Sequence, residues 1–271
     1  MNRPDINTLT ALARQFRRDI VTTVFGAGSG HPGGSLSMVE IVIALYCYKL
    51  RIDPKDPSWP DRDIFILSKG HCSPALYVAL AHRGFFPKEE LSRFRKLGAL
   101  LQGHAYRGVP GVELSTGSLG QGLSVANGWA LASRLDKSAR RVYCILGDGE
   151  IDEGQVWEAA MSAGFRKLDN VCAILDRNRV QQDGLTEKVK DLAPVSDKFR
   201  SCGWNVIDVD GHDISQVMDA LDGAEAAKGK PTLINAATVK GKGVSFMELN
   251  PDWHGKAPSR EELERALKEI G

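Results

Sequence analysis

Short runs of β-branched and aliphatic residues alternate with helical windows along most of this chain, and this alternation constrains its fold more than any other feature. The expected strands are Ile64–Leu67, 143–146, 171–175, 206–209 and Thr232–Ala237. The windows between them that we expect to be helices are 73–82, 121–135, Gly154–Phe165 and 214–227. Strands that alternate with helices form parallel sheets with crossover helices. The sequence therefore predicts an α/β fold, a mainly parallel sheet with helices on both faces.

The two ends of the chain add helices of a different kind. Leu9, Phe16 and Ile20 belong to an apolar set with steps of three and four, which predicts an amphipathic helix over about 7–25. In the next helical stretch, about 35–49, only Glu40 interrupts the apolar positions, so we expect it to be largely buried. Residues 54–60 are rich in proline and predict a loop, and Arg260–Ile270 predicts a polar terminal helix.

No internal repeat, low-complexity tract or Ser/Gly-rich linker divides the chain, so we expect a single domain over residues 1–271. A hydrophobic fraction of 42% is enough for a sizeable core. The connections 88–119 and 183–202 are longer than ordinary loops, and long loops in compact domains are often functional.

Charge and cysteine content exclude several classes of protein. The 35 Lys and Arg nearly balance the 34 Asp and Glu, so no overall field favours a nucleic-acid or membrane-surface partner. The five cysteines are odd in number and show no C-x-x-C spacing, which is typical of a reducing compartment. No apolar run suits a signal peptide or a membrane span. We expect a soluble cytoplasmic protein.

A glycine-rich segment at 28–33 matches the G-x-G-x-x-G pattern of dinucleotide-binding folds, and Asp53 follows at a suitable spacing. That fingerprint requires a strand before it and a helix that opens within it. Here the preceding segment is helical and Pro32 is expected to lie in the loop, so we reject the dinucleotide interpretation.

A stronger signal follows two neighbouring strands of the predicted sheet. Asp148, flanked by glycines, comes directly after strand 143–146, and Asn178 follows strand 171–175. One β-α-β crossover separates these two strands. Parallel strands end at one edge of the sheet, where ligands bind, and carboxylate and amide oxygens suit Mg²⁺ that shares a diphosphate. A helix that begins near Glu153 directs its N-terminus to the same edge. The alternative is an ordinary G-D-G turn and an unrelated loop asparagine.

Two lysines follow strands at the same edge. Lys69 comes after Ile64–Leu67, and Lys240 comes after Thr232–Ala237. Cations at this edge suit a diphosphate. The alternative is a pair of solvated loop lysines.

Four histidines lie in glycine-rich or strand-end settings, which are typical of ligand contacts: His31, His71, His104 and His254. Each alone is more often a hydrogen-bonded structural histidine than a catalytic one. We interpret His82, in a helix, and His212, at a turn, as structural.

These motifs together resemble the transketolase family, specifically its amino-terminal domain that binds thiamine diphosphate. The resemblance covers nearly the whole chain in order: S-G-H-P-G at 29–33, S-K-G-H at 68–71, G-H at 103–104, T-G-S-L-G-Q-G at 116–122, G-D-G-x-x-x-E-G at 147–154, D-x-N at 176–178, and K-G-K-G through W-H-G-K-A-P at 240–258. The fold it implies is the thiamine-diphosphate-binding α/β fold.

The resemblance also implies cofactors and site residues. Thiamine diphosphate would be bound with Mg²⁺, or with Ca²⁺ or Mn²⁺ in its place, and the metal would be held by Asp148, Asn178 and the carbonyl of Val180. The cofactor-binding residues implied are Lys69, His71, Gly117, Ser118, Leu119, Asp148, Gly149, Glu153, Asn178, Lys240 and His254. The catalytic residues implied are His31, His71, His104 and His254, of which His31, His104 and His254 would face the substrate and the reacting carbon. Ser118 stands where many relatives have proline, and Glu153 resembles a structural glutamate near the subunit contact.

A full transketolase has three domains in series, and this chain resembles the first alone. The resemblance thus implies the amino-terminal subunit of a split transketolase, in an α2β2 assembly with a separate carboxyl-terminal subunit that carries the pyrimidine-binding domain and its catalytic glutamate. The reaction implied moves a two-carbon ketol group from a ketose phosphate to an aldose phosphate.

Other interpretations remain open at this point. The α chain of a two-oxoacid dehydrogenase shares the G-D-G and Asn pair but lacks the ordered histidines, and a deoxyxylulose-phosphate synthase fragment is disfavoured for the same reason. A non-catalytic paralogue would keep the fold and turn nothing over.

Overall fold

Five parallel strands form one sheet in the computed structural model of the protein, which describes residues 3–271. The strands are β1 Ile64–Leu67, β2 Val142–Gly147, β3 Val171–Arg177, β4 Asn205–Asp210 and β5 Thr232–Ala237. Their order across the sheet is β1-β2-β3-β5-β4, and every neighbouring pair is parallel. All five expected strands are present, and β2, β3 and β4 extend slightly beyond their predicted bounds. The predicted α/β fold with a parallel sheet is confirmed.

Helices cover both faces of this sheet. They are α1 Ile6–Ala27, α2 Pro32–Ser37, α3 Val39–Ala44, α4 Ser73–Arg83, α5 Gly122–Leu135, α6 Gly154–Phe165, α7 Thr186–Val189, α8 Val195–Ser201, α9 Ile214–Ala226 and α10 Arg260–Ile270. Alternate residues of the strands enter two hydrophobic clusters, because successive side chains of a strand point to opposite faces. One cluster joins the sheet to α1, α3, α4, α9 and α10, and the other joins it to α5, α6 and α8.

The amino-terminal helix begins and ends on local signals. The Asp5 side chain accepts a hydrogen bond from the Thr8 N–H at 2.9 Å, and Gly28 ends the helix in the left-handed region at φ 67°. The apolar face with Leu9, Phe16 and Ile20 is buried, as the spacing predicts.

The prediction of one continuous helix over 35–49 is wrong, whereas the prediction that this stretch is largely buried is confirmed. The segment contains α2, α3 and a π-helical turn Leu45–Lys49, and the break falls at Met38, whose φ and ψ are −102° and 15°. The Ser37 hydroxyl donates a hydrogen bond to the Asp176 carboxylate at 2.6 Å, so the end of α2 is tied to β3 of the sheet.

Pro32 is the first residue of α2 and does not lie in a loop. Proline suits this position because its missing N–H has no helical partner there. A helix therefore does open within 28–33, contrary to our expectation, but helix α1 and not a strand precedes it, so the dinucleotide interpretation still fails.

The two long connections differ in structure. The 88–119 segment holds a 3₁₀ helix, Lys88–Arg93, and is otherwise irregular, whereas α7 and α8 lie within 183–202. Within residues 3–271, none of the helices is both long and apolar enough to span a membrane.

Candidate active site

The register of β2 and β3 brings two oxygen-bearing side chains to one edge of the sheet. Gly147 pairs with Asp176, so Asp148 and Asn178 follow adjacent strand ends. The Asp148 carboxylate accepts hydrogen bonds from the Arg179 N–H at 2.6 Å and the Gly149 N–H at 2.9 Å. These bonds span the two strand ends and fix the carboxylate between them.

Asp148 is a buried carboxylate, and no cationic side chain of the described residues forms an ion pair with it. Burial, and then the Asp176 charge, raise the pKa of Asp148 to about 6. The chemistry of the site therefore favours a cation beside this oxygen. Residues 3–271 contain no cluster of three His, Cys, Asp or Glu that could hold a metal, so a divalent ion here would depend on amide and backbone oxygens as well.

Such oxygens are present. Asn178 Oδ1 accepts the Val180 N–H at 3.2 Å, and the Val180 carbonyl lines the same cleft. One carboxylate, one amide oxygen and one carbonyl are hard ligands that suit Mg²⁺ with phosphate oxygens completing its shell. The residues present thus fit the implied metal.

Lys69 is committed to a buried ion pair. Its ammonium bonds Asp176 at the end of β3 and donates to the Gly34 carbonyl at 3.0 Å. Burial opposes the charge, but the Asp176 carboxylate outweighs it and raises the pKa of Lys69 above its ordinary value. Although Lys69 lines the cleft, its ammonium therefore joins strand ends rather than lying free for a ligand.

Lys240 differs from Lys69 in having no carboxylate partner among the described residues. Its buried ammonium donates to the Val180 carbonyl at 2.9 Å and to His254 Nδ1 at 2.8 Å, with a longer contact of 3.4 Å to the Gln181 carbonyl. Burial lowers the pKa of Lys240 to about 8. A buried ammonium with only neutral partners suits a diphosphate, which the sequence implied at this position.

The four histidines singled out from the sequence lie together. The His31 ring centroid is 5.2 Å from His71, 5.8 Å from His104 and 5.6 Å from His254, and His71 stacks on His254 at 5.1 Å. Burial is the largest cause that lowers the pKa of each, to about 4 for His31 and His254. All four are therefore neutral near pH 7, and each can donate through one nitrogen and accept through the other.

The Gly117–Leu119 backbone borders the cleft beside His104, whose Cδ2 would be 3.7 Å from a Cβ at Gly117. Gly117 and Leu119 line the cleft, and Ser118 is exposed outside the lining. Glu153 is exposed at the first turn of α6 and lines the cleft with no side-chain hydrogen bond at the cap. A Cβ at Gly149 would lie 2.8 Å from the Gln181 Cβ, so only glycine permits this close approach.

All these groups border one cleft of about 440 Å³. Of the residues that the sequence singled out for the site, only Ser118 is outside its lining. The lining residues are His31, Gly34, Lys69, His71, His104, Gly117, Leu119, Gly147, Asp148, Gly149, Glu150, Asp152, Glu153, Asn178, Val180, Gln181, Gln182, Asp183, Lys240 and His254.

Residues 9–271 match the family model for the thiamine-diphosphate-binding domain of transketolase. The chain belongs to the transketolase family. It is 46% identical over 244 residues to the 6-deoxy-6-sulfo-D-fructose transketolase subunit SqwG of a Clostridium species, covering 90% of this chain and 89% of that protein. It is 40% identical over 265 residues to one of the subunits of the apulose-4-phosphate transketolase of Phocaeicola vulgatus, covering 98% of this chain and 94% of that protein.

Single-chain transketolases are matched over less than half their length. Transketolase from Campylobacter jejuni superposes with a TM-score of 0.92 at 33% identity, and the alignment covers 99% of this chain and 43% of that one. Human transketolase is 39% identical over 273 residues, with the same 43% share. The predicted family, fold and enzyme class are confirmed, and so is the resemblance to an amino-terminal part that is a separate subunit in the Clostridium and Phocaeicola relatives.

Two buried acids of this transketolase-family site had no role in the sequence analysis. Glu150 Oε1 accepts the Gly120 N–H at 2.9 Å and Oε2 accepts the Gly147 N–H at 3.0 Å, so it ties the glycine-rich loop to β2. Asp176 ties Lys69 and Ser37 to β3. Both lie inside quoted motifs, and a carboxylate that directly follows the apolar run 171–175 is the signal that could have identified Asp176.

Proposed function

We propose that this chain is the amino-terminal subunit of a two-chain transketolase that binds thiamine diphosphate through a divalent cation. One observation carries the proposal: Asp148 and Asn178 follow adjacent strand ends, in a cleft that also holds four neutral imidazoles. The relatives that are named as separate transketolase subunits support it.

The site residues divide into three roles. Asp148, Asn178 and the Val180 carbonyl would hold Mg²⁺, or Ca²⁺ or Mn²⁺ in its place. Lys240, His71, Gly149 and the 117–119 backbone would hold the diphosphate, with Lys69 supporting them through Asp176. When bound, thiamine diphosphate supplies the carbon nucleophile and the electron sink that carbon–carbon cleavage needs.

The chain's own contribution is orientation and proton transfer. Lys240 can only donate to His254 Nδ1, so the neutral ring carries its proton on Nε2. His254 can thus donate from Nε2 to a substrate oxygen, and His31 and His104 can exchange protons with hydroxyl and carbonyl groups on the same side. His31 Nδ1 is buried and has no hydrogen-bond partner among the described residues.

The proposed substrates are a ketose phosphate as donor and an aldose phosphate as acceptor, a reaction of the pentose phosphate type. The relatives named for a sulfonated ketose and for apulose 4-phosphate widen the donor class to sugars with a terminal anion. The proposed assembly is α2β2 with a carboxyl-terminal subunit. All five cysteines are free, which supports a cytoplasmic location.

Reconstitution tests the proposal. The chain is mixed with the carboxyl-terminal subunit, thiamine diphosphate, Mg²⁺, a ketose phosphate or sulfonated ketose, and an aldose phosphate, and the two-carbon-extended product is followed by mass spectrometry. We expect product only when both chains are present. A complex that binds the cofactor but transfers nothing from any of these donors would indicate a non-catalytic paralogue.

Calorimetry on the assembled complex tests the metal assignment separately. Asp148→Ala should abolish Mg²⁺-dependent cofactor binding, because it removes the one charged oxygen of the donor set. Asp136→Ala, at an exposed helix end, is the matched control and should bind as the parent does. Retained affinity in Asp148→Ala would contradict the metal site.

A further inference from the structure

A buried charge network lies outside the cleft, behind the segment that carries Lys240. Arg17 on α1 forms a two-pronged ion pair with Glu40 on α3, with N–O distances of 2.7 and 2.8 Å. Glu40 Oε2 is also 3.1 Å from His212 Nδ1, in the turn after β4. The three side chains are only 9%, 7% and 15% exposed.

Both ends of this network bond the main chain of one short segment. His212 Nε2 accepts the Val239 N–H at 2.9 Å, and Arg17 Nε donates to the Lys242 carbonyl at 3.0 Å. Of the side chains in residues 3–271, these are the two that bond the backbone of 239–242. Lys240 lies between the two bonded positions.

The hydrogen bonds fix the tautomer of His212. The Val239 N–H can only donate, so Nε2 is the acceptor and Nδ1 carries the proton that it donates to Glu40. Neutral His212 is therefore a bridge between a buried carboxylate and the backbone next to Lys240. On its outer side lies a cavity of about 460 Å³, so packing alone does not hold the ring in this orientation.

General stabilisation explains this arrangement poorly. A buried ion pair is weak evidence for stability, because desolvation offsets much of its attraction. Here each end of the network holds a backbone atom within two residues of Lys240, whose ammonium in turn contacts Val180 and His254 in the cleft. A displacement of this segment would move both contacts.

We propose that Arg17, Glu40 and His212 form a positioning triad for Lys240, and through it for His254. The triad touches neither cofactor nor substrate. It fixes the 239–242 backbone so that the ammonium and the imidazole are in place before an anionic ligand arrives, which lowers the cost of ordering them on binding. This inference rests on the proposed function, because it assigns Lys240 to the cofactor.

Two substitutions at His212 separate positioning from bulk stability. His212→Leu removes both hydrogen bonds, whereas His212→Gln has an amide that can donate to Glu40 and accept from Val239 at once. In the assembled enzyme, we expect His212→Leu to weaken thiamine diphosphate binding about tenfold by calorimetry, the loss of about one hydrogen bond, and to lower kcat as well. His212→Gln should restore most of both.

His82→Leu is the matched control. His82 is an exposed imidazole that packs edge-on against Phe16 at 5.4 Å and does not line the cleft. His82→Leu should therefore leave the cofactor Kd and the exchange of 239–243 unchanged. If His212→Leu behaves in the same way, or if His212→Gln restores nothing, the triad is structural and the proposal is wrong.

Hydrogen exchange of the cofactor-free chain gives a readout that does not depend on catalysis. The peptide that spans 239–243 should exchange faster in His212→Leu than in the parent, and at the parental rate in His212→Gln. Parental exchange in His212→Leu would overturn the positioning role. A different outcome would refute the proposed function instead: the three proteins exchange as expected, but the parent neither binds the cofactor nor transfers ketol groups.

Arg17→Lys provides a second route where His212→Leu does not fold. Lysine can pair with Glu40, but one ammonium cannot reproduce the Nε bond to the Lys242 carbonyl together with the two-pronged pair. We expect a smaller loss of cofactor affinity with faster exchange over 239–243. Parental affinity and exchange in this variant would contradict the triad.

Discussion

Replacing Asp176 with asparagine should destabilise the cofactor-free chain far more than replacing an exposed acid. Asp176 is fully buried at the end of β3. Its carboxylate accepts from Lys69 Nζ, from Ser37 Oγ at 2.6 Å, from Thr238 Oγ1 and from Asn178 Nδ2 at 3.1 Å. An amide of the same size removes the charge and turns one acceptor into a donor.

The magnitude follows from what remains around Lys69. Its ammonium is 2% exposed and would keep only neutral partners, the Gly34 carbonyl at 3.0 Å and the asparagine amide oxygen. Loss of one partner from a buried ion pair costs about 3–5 kcal/mol. Whole domains have unfolding free energies of only about 5–15 kcal/mol, so Asp176→Asn should lose a large part of its stability.

The deficit should also depend on pH. In the parent, Asp176 outweighs burial and keeps the pKa of Lys69 above its ordinary value, so its contribution to stability is lost only at strongly alkaline pH. In Asp176→Asn only burial remains, which lowers the pKa of Lys69 in the folded state. The unfolded chain then binds more protons than the folded one, so the deficit should shrink as the pH rises from about 7 to about 9.

Urea unfolding followed by circular dichroism measures both effects. Asp197→Asn is the control, because Asp197 is 67% exposed and its ion pair with Arg200 lies at the surface, where such pairs contribute about 0–1 kcal/mol. Adding Lys69→Met to Asp176→Asn should recover much of the loss, because no buried charge is left without a partner. A deficit equal to the control, or one that Lys69→Met leaves unchanged, would refute the reasoning.

Three further predictions concern the cleft. His254→Ala should lower kcat of the assembled enzyme by about 10² to 10⁴, the usual effect of losing a general acid or base, and an unchanged kcat would remove that role. Glu150→Gln should lower the unfolding free energy by about 1–3 kcal/mol and weaken cofactor binding in calorimetry, because an NH₂ group would face the Gly120 or Gly147 N–H; parental values would contradict this. Burial lowers the pKa of His31 to about 4, so between the unfolded value of about 6.5 and about 4 the unfolded chain binds a proton that the folded ring does not. As the pH is lowered from about 6.5 to about 4, the unfolding free energy should therefore decrease less steeply in His31→Gln than in the parent. Equal slopes in a urea series would show that His31 is not buried in its neutral form.

The sheet could be predicted because its strands are buried on both faces. A parallel strand covered by helices reads as a continuous apolar run, and β1 and β2 are buried at every position. The edge strand β4 is mostly half-buried, yet its β-branched residues were enough to locate it. Once strand ends are known, the edge that carries Asp148 and Asn178 follows from parallel topology alone.

The pairings within the site could not be predicted in this way. Lys69 and Asp176 are 107 residues apart, and Ser37 and Asp176 are 139 apart. Local periodicity places a residue on an element, but it does not say which side chains of distant elements meet. Lys69 therefore looked like a cation that awaits a diphosphate, whereas its charge is already neutralised by Asp176.

Glu40 shows which part of the Arg17–Glu40–His212 triad can be predicted from the sequence. Glu40 is the only charged residue in 36–48. It required a buried partner, because an unpaired carboxylate is seldom buried. The partners come from 23 and 172 residues away: Arg17 lies on the amphipathic helix α1, and His212 lies in a turn that we interpreted as structural. A lone charge in a buried segment thus predicts that a network exists, and only the packing of α1 against α3 and the turn after β4 determines that the network reaches Lys240.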